Sequence, residues 1–306
     1  MITFACAALL STGLAAQDPT PPKPAAKPQE PTRQEPAKTD KTMGWTGVLD
    51  EKAFAALHEL TKDKAPKPEG EMVKVGDTMD YLSLPKTGKA PFPAVVVIHE
   101  WWGLNDHIKH WTDRLAADGY AALAVDLYAG KNATTAAEAG AAMKAVDETK
   151  ARATLLAAFD FLHSDPRIAA SKRGCIGWCF GGGWSLQLAL AAPQLDAAVV
   201  YYGRLVDDVD QLKAIHAPLL GVFGNKDSGI PPKSVDAFEA AMHRAGRDCR
   251  VLRYDAAHGF ANPSGAAYDQ PNATAAWTEV RTFLAQKLKG APATAAPATA
   301  PKKDGR

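Results

Sequence analysis

From residue 94 to residue 255 the chain repeats one pattern, an apolar run of strand length followed by a stretch of helical character. The runs are AVVVIHE (94–100), AALAVDLY (121–128), RGCIGW (173–178), AAVVYYG (197–203), PLLGVFG (218–224) and RVLRYD (250–255). Helical stretches cover 106–118, 133–162, 180–191, 234–245 and 269–288. In the stretch from 234, Ser234 can cap, Val235, Phe238 and Met242 share one face, and Gly246 can end the helix. Strands that are apolar without alternation have no face left for water. They predict an α/β fold with a mostly parallel central sheet and helices on both faces. MDYLSLP (79–85) alternates more and suits an antiparallel edge strand.

Open α/β sheets bind ligands outside the carboxyl ends of their strands. Four strand ends carry reactive side chains there: His99 and Glu100, Cys179, Asp227, and His258. The rest of the composition excludes other classes. A formal net charge of +1, with acids and bases mixed along the chain, gives no nucleic-acid surface. Four cysteines, Cys6, Cys175, Cys179 and Cys249, are no disulfide framework for 306 residues. No segment after the N-terminus is long and apolar enough to span a membrane.

The first sixteen residues, MITFACAALLSTGLAA, are apolar and end in small residues, like the core and cleavage site of a secretory signal, although a positive leader is missing. Export is the expectation. Residues 17–44, rich in Pro, Ala and Lys, read as a disordered tether, 45–289 as one domain, and 290–306 as a disordered tail.

GWCFG (177–181) is a Gly-x-nucleophile-x-Gly pattern with cysteine as the nucleophile. It follows an apolar strand and opens a helix, the context in which such a turn is needed. Gly177 and Gly181 keep strand and helix close, and a helix N-terminus favours a thiolate at Cys179. The N–H of Phe180 can then hold an oxyanion. The bland alternative is an inert buried thiol, the usual fate of a free cysteine. A Cys175–Cys179 bridge is disfavoured, because four residues of extended chain exceed bridging range. Cys175 and Cys249 read as core residues.

A cysteine nucleophile needs a base, and the base needs an orienting group. His258 in YDAAHGFANP and Asp227 in FGNKDSGIPP supply them, in the chain order nucleophile, acid, histidine. The other histidines are worse placed. His107 and His110 face out of a helix, and His58, His163, His216 and His243 lie in helices or connections. Glu100 ends a fully apolar strand, an expensive place for a carboxylate without a task. A zinc site built from His99, His107 and His110 has unconvincing spacing, and no metal or organic cofactor is expected.

HEWWGLNDHIKHWTDRLAADGYAALAVDLY and GWCFGGG, followed by GNKDSGIPP and AAHGFANP, resemble the dienelactone hydrolase family of α/β-hydrolases. The resemblance covers about 70 to 288. It implies an α/β-hydrolase fold and hydrolysis of a small ester or lactone. It implies Cys179, Asp227 and His258 as catalytic residues, with Glu100 deprotonating the cysteine once substrate binds. Trp101 matches the family's second oxyanion donor, beside Phe180. Family members that take dienelactone hold its carboxylate with arginines, one of them close to the catalytic histidine. Asn262 stands in that neighbourhood here, which puts that substrate in doubt. Trp102, Tyr201, Tyr202, Phe260 and Asn262 are the candidate pocket residues. A small-molecule substrate and a monomer are expected, with rival readings of another acyl substrate or a non-catalytic envelope protein.

Overall fold

The computed structural model describes residues 48–290 except 59, 62 and 63. The signal-like segment, the whole tether and the tail after Gly290 fall outside the described residues. A short helix α1 (Glu51–Ala56) is followed by strands β1 (Glu71–Val75), β2 (Thr78–Ser83) and β3 (Ala94–Ile98). Then come α2 (Asp106–Ala117), β4 (Ala121–Val125), α3 (Ala136–Lys144), α4 (Glu148–Ser164), β5 (Arg173–Trp178) and α5 (Phe180–Ala191). The chain continues through β6 (Ala197–Tyr201), α6 (Val209–Leu212), β7 (Leu219–Gly224), α7 (Pro232–Arg244), β8 (Cys249–Tyr254) and α8 (Gln270–Lys289).

The strands form one eight-stranded sheet in the order β1-β2-β4-β3-β5-β6-β7-β8. The first two strands pair antiparallel, and β2 joins β4 antiparallel. All other pairings are parallel. Every residue of β3, β4, β6 and β7 is buried, so both faces of the central sheet are covered. On one face α2 and α8 meet through Trp111 and Trp277, ring centroids 4.7 Å apart. Helices α4 and α5 also pack together, against β3, β4, β5 and β6. This is the mostly parallel, doubly covered sheet anticipated from the apolar runs, and it agrees with the α/β-hydrolase fold that the family resemblance implies.

The long helix anticipated over 133–162 is two helices. Asp147 takes an extended conformation and its side chain accepts from Lys150 N, capping α4 and breaking the run. Helices α1 and α6 and strand β1 lie outside the sequence-based assignment. Among the described residues, no helix is long and apolar enough to cross a membrane.

Candidate active site

The C-terminal end of β5 turns sharply into α5 at Cys179. Its backbone lies at φ 54°, ψ −114°, a region that side chains rarely occupy. The turn closes only over glycine: a Cβ on Gly177 would lie 2.1 Å from the Gly181 carbonyl oxygen, and one on Gly181 2.2 Å from that of Ile98. Cys179 N donates to Tyr201 O at 3.0 Å, tying the turn to β6. The thiol is buried, which pushes its pKa up, against the lowering influence of His258 and of the Phe180 N–H. Cys175, Cys179 and Cys249 are free thiols, and Cys175 sits in the core against Ser185 Oγ at 3.1 Å.

His258 arrives from the loop after β8 and Asp227 from the loop after β7. His258 Nε2 lies 3.3 Å from Cys179 Sγ, and its Nδ1 donates to Asp227 Oδ2 at 2.8 Å. The other carboxylate oxygen of Asp227 accepts from the backbone N–H groups of Gly229 and Ile230 at 2.7 and 2.9 Å. Burial alone would lower the His258 pKa, but the Asp227 carboxylate beside it holds it well above the ordinary value. Asp255, just after β8 and nearer in sequence to His258, is on the surface in an ion pair with Lys226.

Glu100 is buried beside this group, in the turn that follows β3, and burial pushes its carboxyl up to about 7. Tyr202 donates from its hydroxyl to Oε1 at 3.3 Å, and the Asn262 side-chain amide donates to Oε2. The Asn262 orientation is set by Ser264, whose N–H and hydroxyl both donate to its Oδ1. Tyr202 itself is held at φ 31° and is fully buried.

Trp101 follows Glu100 directly, and Phe180 is the first residue of α5, where helix geometry provides no intrahelical acceptor for its N–H. Of the five anticipated pocket residues, Trp102 and Asn262 border a small crevice over the thiol. Tyr201, Tyr202 and Phe260 do not. They are packed in the core, Tyr202 against Phe260 and Tyr201 against Trp178. The crevice holds about 20 Å³, enough for a water, and is also bordered by Leu57, His58, Glu100 and His258. A larger surface groove along α7, lined by Asp236, Glu239 and His243 among others, contains none of these residues.

His58 was among the histidines expected to lie away from the site, and the structure brings it in. Its Nε2 is 3.3 Å from Cys179 Sγ, on a second side from His258. Its Nδ1 donates to Phe54 O at 2.9 Å, and burial lowers its pKa to about 3. The sequence signal is local. Asp50 caps α1, and Phe54 and His58, four apart, share one face that packs on Trp101. That segment precedes the strand–helix alternation, so the alternation did not reveal it. His99, by contrast, is a satisfied core residue: its Nδ1 donates to Glu100 O and its Nε2 accepts from Leu127 N. The His99, His107 and His110 zinc grouping does not form; among the described residues the metal-capable group is His58, Cys179 and His258.

The dienelactone hydrolase family matches residues 79–288. A provisionally named carboxymethylenebutenolidase of Methylorubrum extorquens is 30% identical over 221 residues, spanning 67% of this chain and 76% of the relative. One of the same name from Saccharolobus solfataricus is 31% identical over 250 residues, 68% of this chain and 94% of that one. The crystal structure of a dienelactone hydrolase-like promiscuous phosphotriesterase from metagenomic libraries superposes with a TM-score of 0.65 at 28% identity, covering 72% of this chain and 97% of that one. With an α/β-hydrolase sheet and this match across more than half its length, the chain belongs to the dienelactone hydrolase family.

Proposed function

We propose that the protein hydrolyses a small ester or lactone through a cysteinyl thioester. The observation that carries this reading is Cys179 in its strained turn, 3.3 Å from a histidine that is held in turn by Asp227 at 2.8 Å. A nucleophile, a base in hydrogen-bond reach and a group orienting the base make the minimum set for acyl transfer.

The resting thiol is protonated. Substrate displaces the Glu100 carboxylate from Tyr202 and Asn262, and Glu100 takes the Cys179 proton. The thiolate attacks the carbonyl carbon, a C–S bond forms, and the carbonyl π pair moves onto oxygen. The backbone N–H groups of Trp101 and Phe180 hold that oxyanion. Collapse expels the alkoxide, which takes a proton from His258. Water then adds to the thioester, losing its proton to His258, and Cys179 departs as thiolate and is reprotonated. The products are a carboxylic acid and an alcohol, or a hydroxy acid from a lactone.

The narrow crevice bordered by Trp102 and Leu57 favours a small acyl group. With Asn262 engaged on Glu100, no lysine or arginine among the described residues borders the crevice to receive a second carboxylate. A neutral ester or lactone is therefore preferred over dienelactone.

The test is hydrolysis of a short p-nitrophenyl ester, a neutral lactone and dienelactone by wild type and Cys179→Ala, with folding matched by circular dichroism. Expected are turnover of the neutral substrates, loss of about 10³-fold or more in the variant, and an acyl mass increment on wild-type Cys179 in quenched single turnovers. Equal rates in the two proteins would remove Cys179 from the mechanism.

A further inference from the structure

We propose that His58, Cys179 and His258 together form a binding site for a thiophilic divalent cation, Zn²⁺, which on binding blocks the nucleophile reversibly. The binding site needs only the donor set and its geometry; the block it imposes rests on the hydrolase reading.

Three ligand atoms converge. Nε2 of His58 and Nε2 of His258 each lie 3.3 Å from Cys179 Sγ, and all three atoms lie within 4.8 Å of one another. Zinc bonds of about 2.0–2.1 Å to nitrogen and 2.3 Å to sulfur, at tetrahedral angles, call for N···S separations of roughly 3.5 Å. The two N···S separations are within a few tenths of an ångström of that value, and the two nitrogens would close on one another as the ion enters.

His58 presents a lone pair rather than a proton. A carbonyl oxygen can only accept, so the bond from His58 Nδ1 to Phe54 O puts the ring hydrogen on Nδ1 and leaves Nε2 open. Asp227 fixes the His258 ring in the same orientation, and the proton on its Nε2 is released as the metal binds. A metal-ligating histidine ordinarily has its remote nitrogen tied to a carbonyl or carboxylate in this way, and here both do. A thiolate with two imidazoles suits zinc by ligand softness, and three protein ligands leave a fourth position facing the crevice for water. As the S–Zn bond forms, the thiol proton passes to solvent, and the sulfur pair that would attack a carbonyl is engaged on the metal.

A role for His58 as a second general base is the weaker use of the same geometry. No carboxylate orients His58 as Asp227 orients His258; its Nδ1 is tied to the Phe54 carbonyl, the arrangement of a neutral metal-ligating imidazole.

The experiment uses the full chain. Zn²⁺ affinity is measured by competition with a chromophoric chelator, and Co²⁺ substitution is followed by its thiolate charge-transfer absorption. Wild type is expected to bind one ion per chain, with the charge-transfer band, and to lose ester hydrolysis in step with occupancy until a chelator restores it. Cys179→Ser is expected to lose the band. His58→Ala is expected to bind at least about tenfold more weakly, and His58→Gln, which keeps the bulk over the site, to be weakened similarly. Unchanged Zn²⁺ affinity in His58→Gln, with the fold intact by circular dichroism, would overturn the site. So would the absence of saturable binding in wild type, and either result would leave the hydrolase reading untouched.

Discussion

The side-chain amide of Asn262, at the border of the crevice, donates to Oε2 of Glu100. Tyr202 serves the other oxygen over a longer bond of 3.3 Å. Removing a donor from a buried carboxylate costs about 1–3 kcal/mol. Asn262→Ala is expected to fall in that range, and Tyr202→Phe near its lower end. In a Glu100→Gln background the cost of Asn262→Ala should shrink by about 1 kcal/mol or more, because the two residues share one interaction. Urea denaturation of the four proteins of the cycle checks this; an unchanged cost would mean that the amide does not act through Glu100.

The glycine run after Cys179 gives a second test, since its members differ sharply in room. A Cβ on Gly181 meets the Ile98 carbonyl at 2.2 Å and one on Gly182 the Tyr201 carbonyl at 2.3 Å. Both obstacles are backbone in buried strands and cannot give way. A Cβ on Gly183 meets nothing closer than Arg204 at 3.4 Å. Gly181→Ala and Gly182→Ala are expected to destabilise by more than about 3 kcal/mol or to prevent folding. Gly183→Ala should be neutral or stabilising by up to about 1 kcal/mol, as alanine in a helix interior usually is relative to glycine. Expression yield and thermal melts decide it.

The parallel sheet was legible because its central strands carry apolar residues at every position, which only a doubly covered sheet explains. The tight turn at Cys179 was legible because steric closeness demands glycine at fixed offsets from it. Asp227 and His258 followed from their places after strands. Pocket lining was not legible in the same way: Tyr201, Tyr202 and Phe260 are aromatic whether they face a ligand or a core, and composition does not distinguish the two. His58 was hidden for a different reason. Its role depends on a short capped helix folding back over a sheet whose repeat begins some forty residues later in the chain, a tertiary contact with no periodic signature.

A pH effect on stability is expected from Asp80. Its side chain is buried between β1 and β4 and accepts from Asp126 N at 3.0 Å. Burial pushes its carboxyl up to about 6 from an ordinary 3.8; the Asp126 N–H and Thr78 oppose this, and the Asp126 charge adds to it. The folded chain therefore holds this proton at pH values where the unfolded chain has lost it. The contribution is fully present below about pH 4 and is lost as the pH rises through about 6, a difference on the order of 3 kcal/mol. Asp80→Asn carries no such proton. The stability of the variant relative to wild type should thus rise between pH 4 and pH 7, by up to that amount. Parallel pH profiles of the melting temperature in the two proteins would refute the assignment.

Substrate entry is expected to depend on Phe54. The crevice over Cys179 has room for about one water, and its outer wall includes Leu57 and His58. Among the contacts that hold that wall, Phe54 is buried with its ring edge-on to Trp101 at 5.2 Å, Leu60 bridges Gly265, and Thr61 N donates to Ser264 O at 2.7 Å. Lifting of this segment is expected to widen the approach to the thiol for larger esters. Phe54→Ala removes its main apolar anchor while leaving the sheet intact. The variant should show faster amide exchange at His58 and Thr61 with little change in the central strands. The ratio of kcat/KM for a bulky ester to that for a small one should rise several-fold. A purely structural Phe54 would behave differently, with global stability falling by about 3–5 kcal/mol and the ratio staying constant.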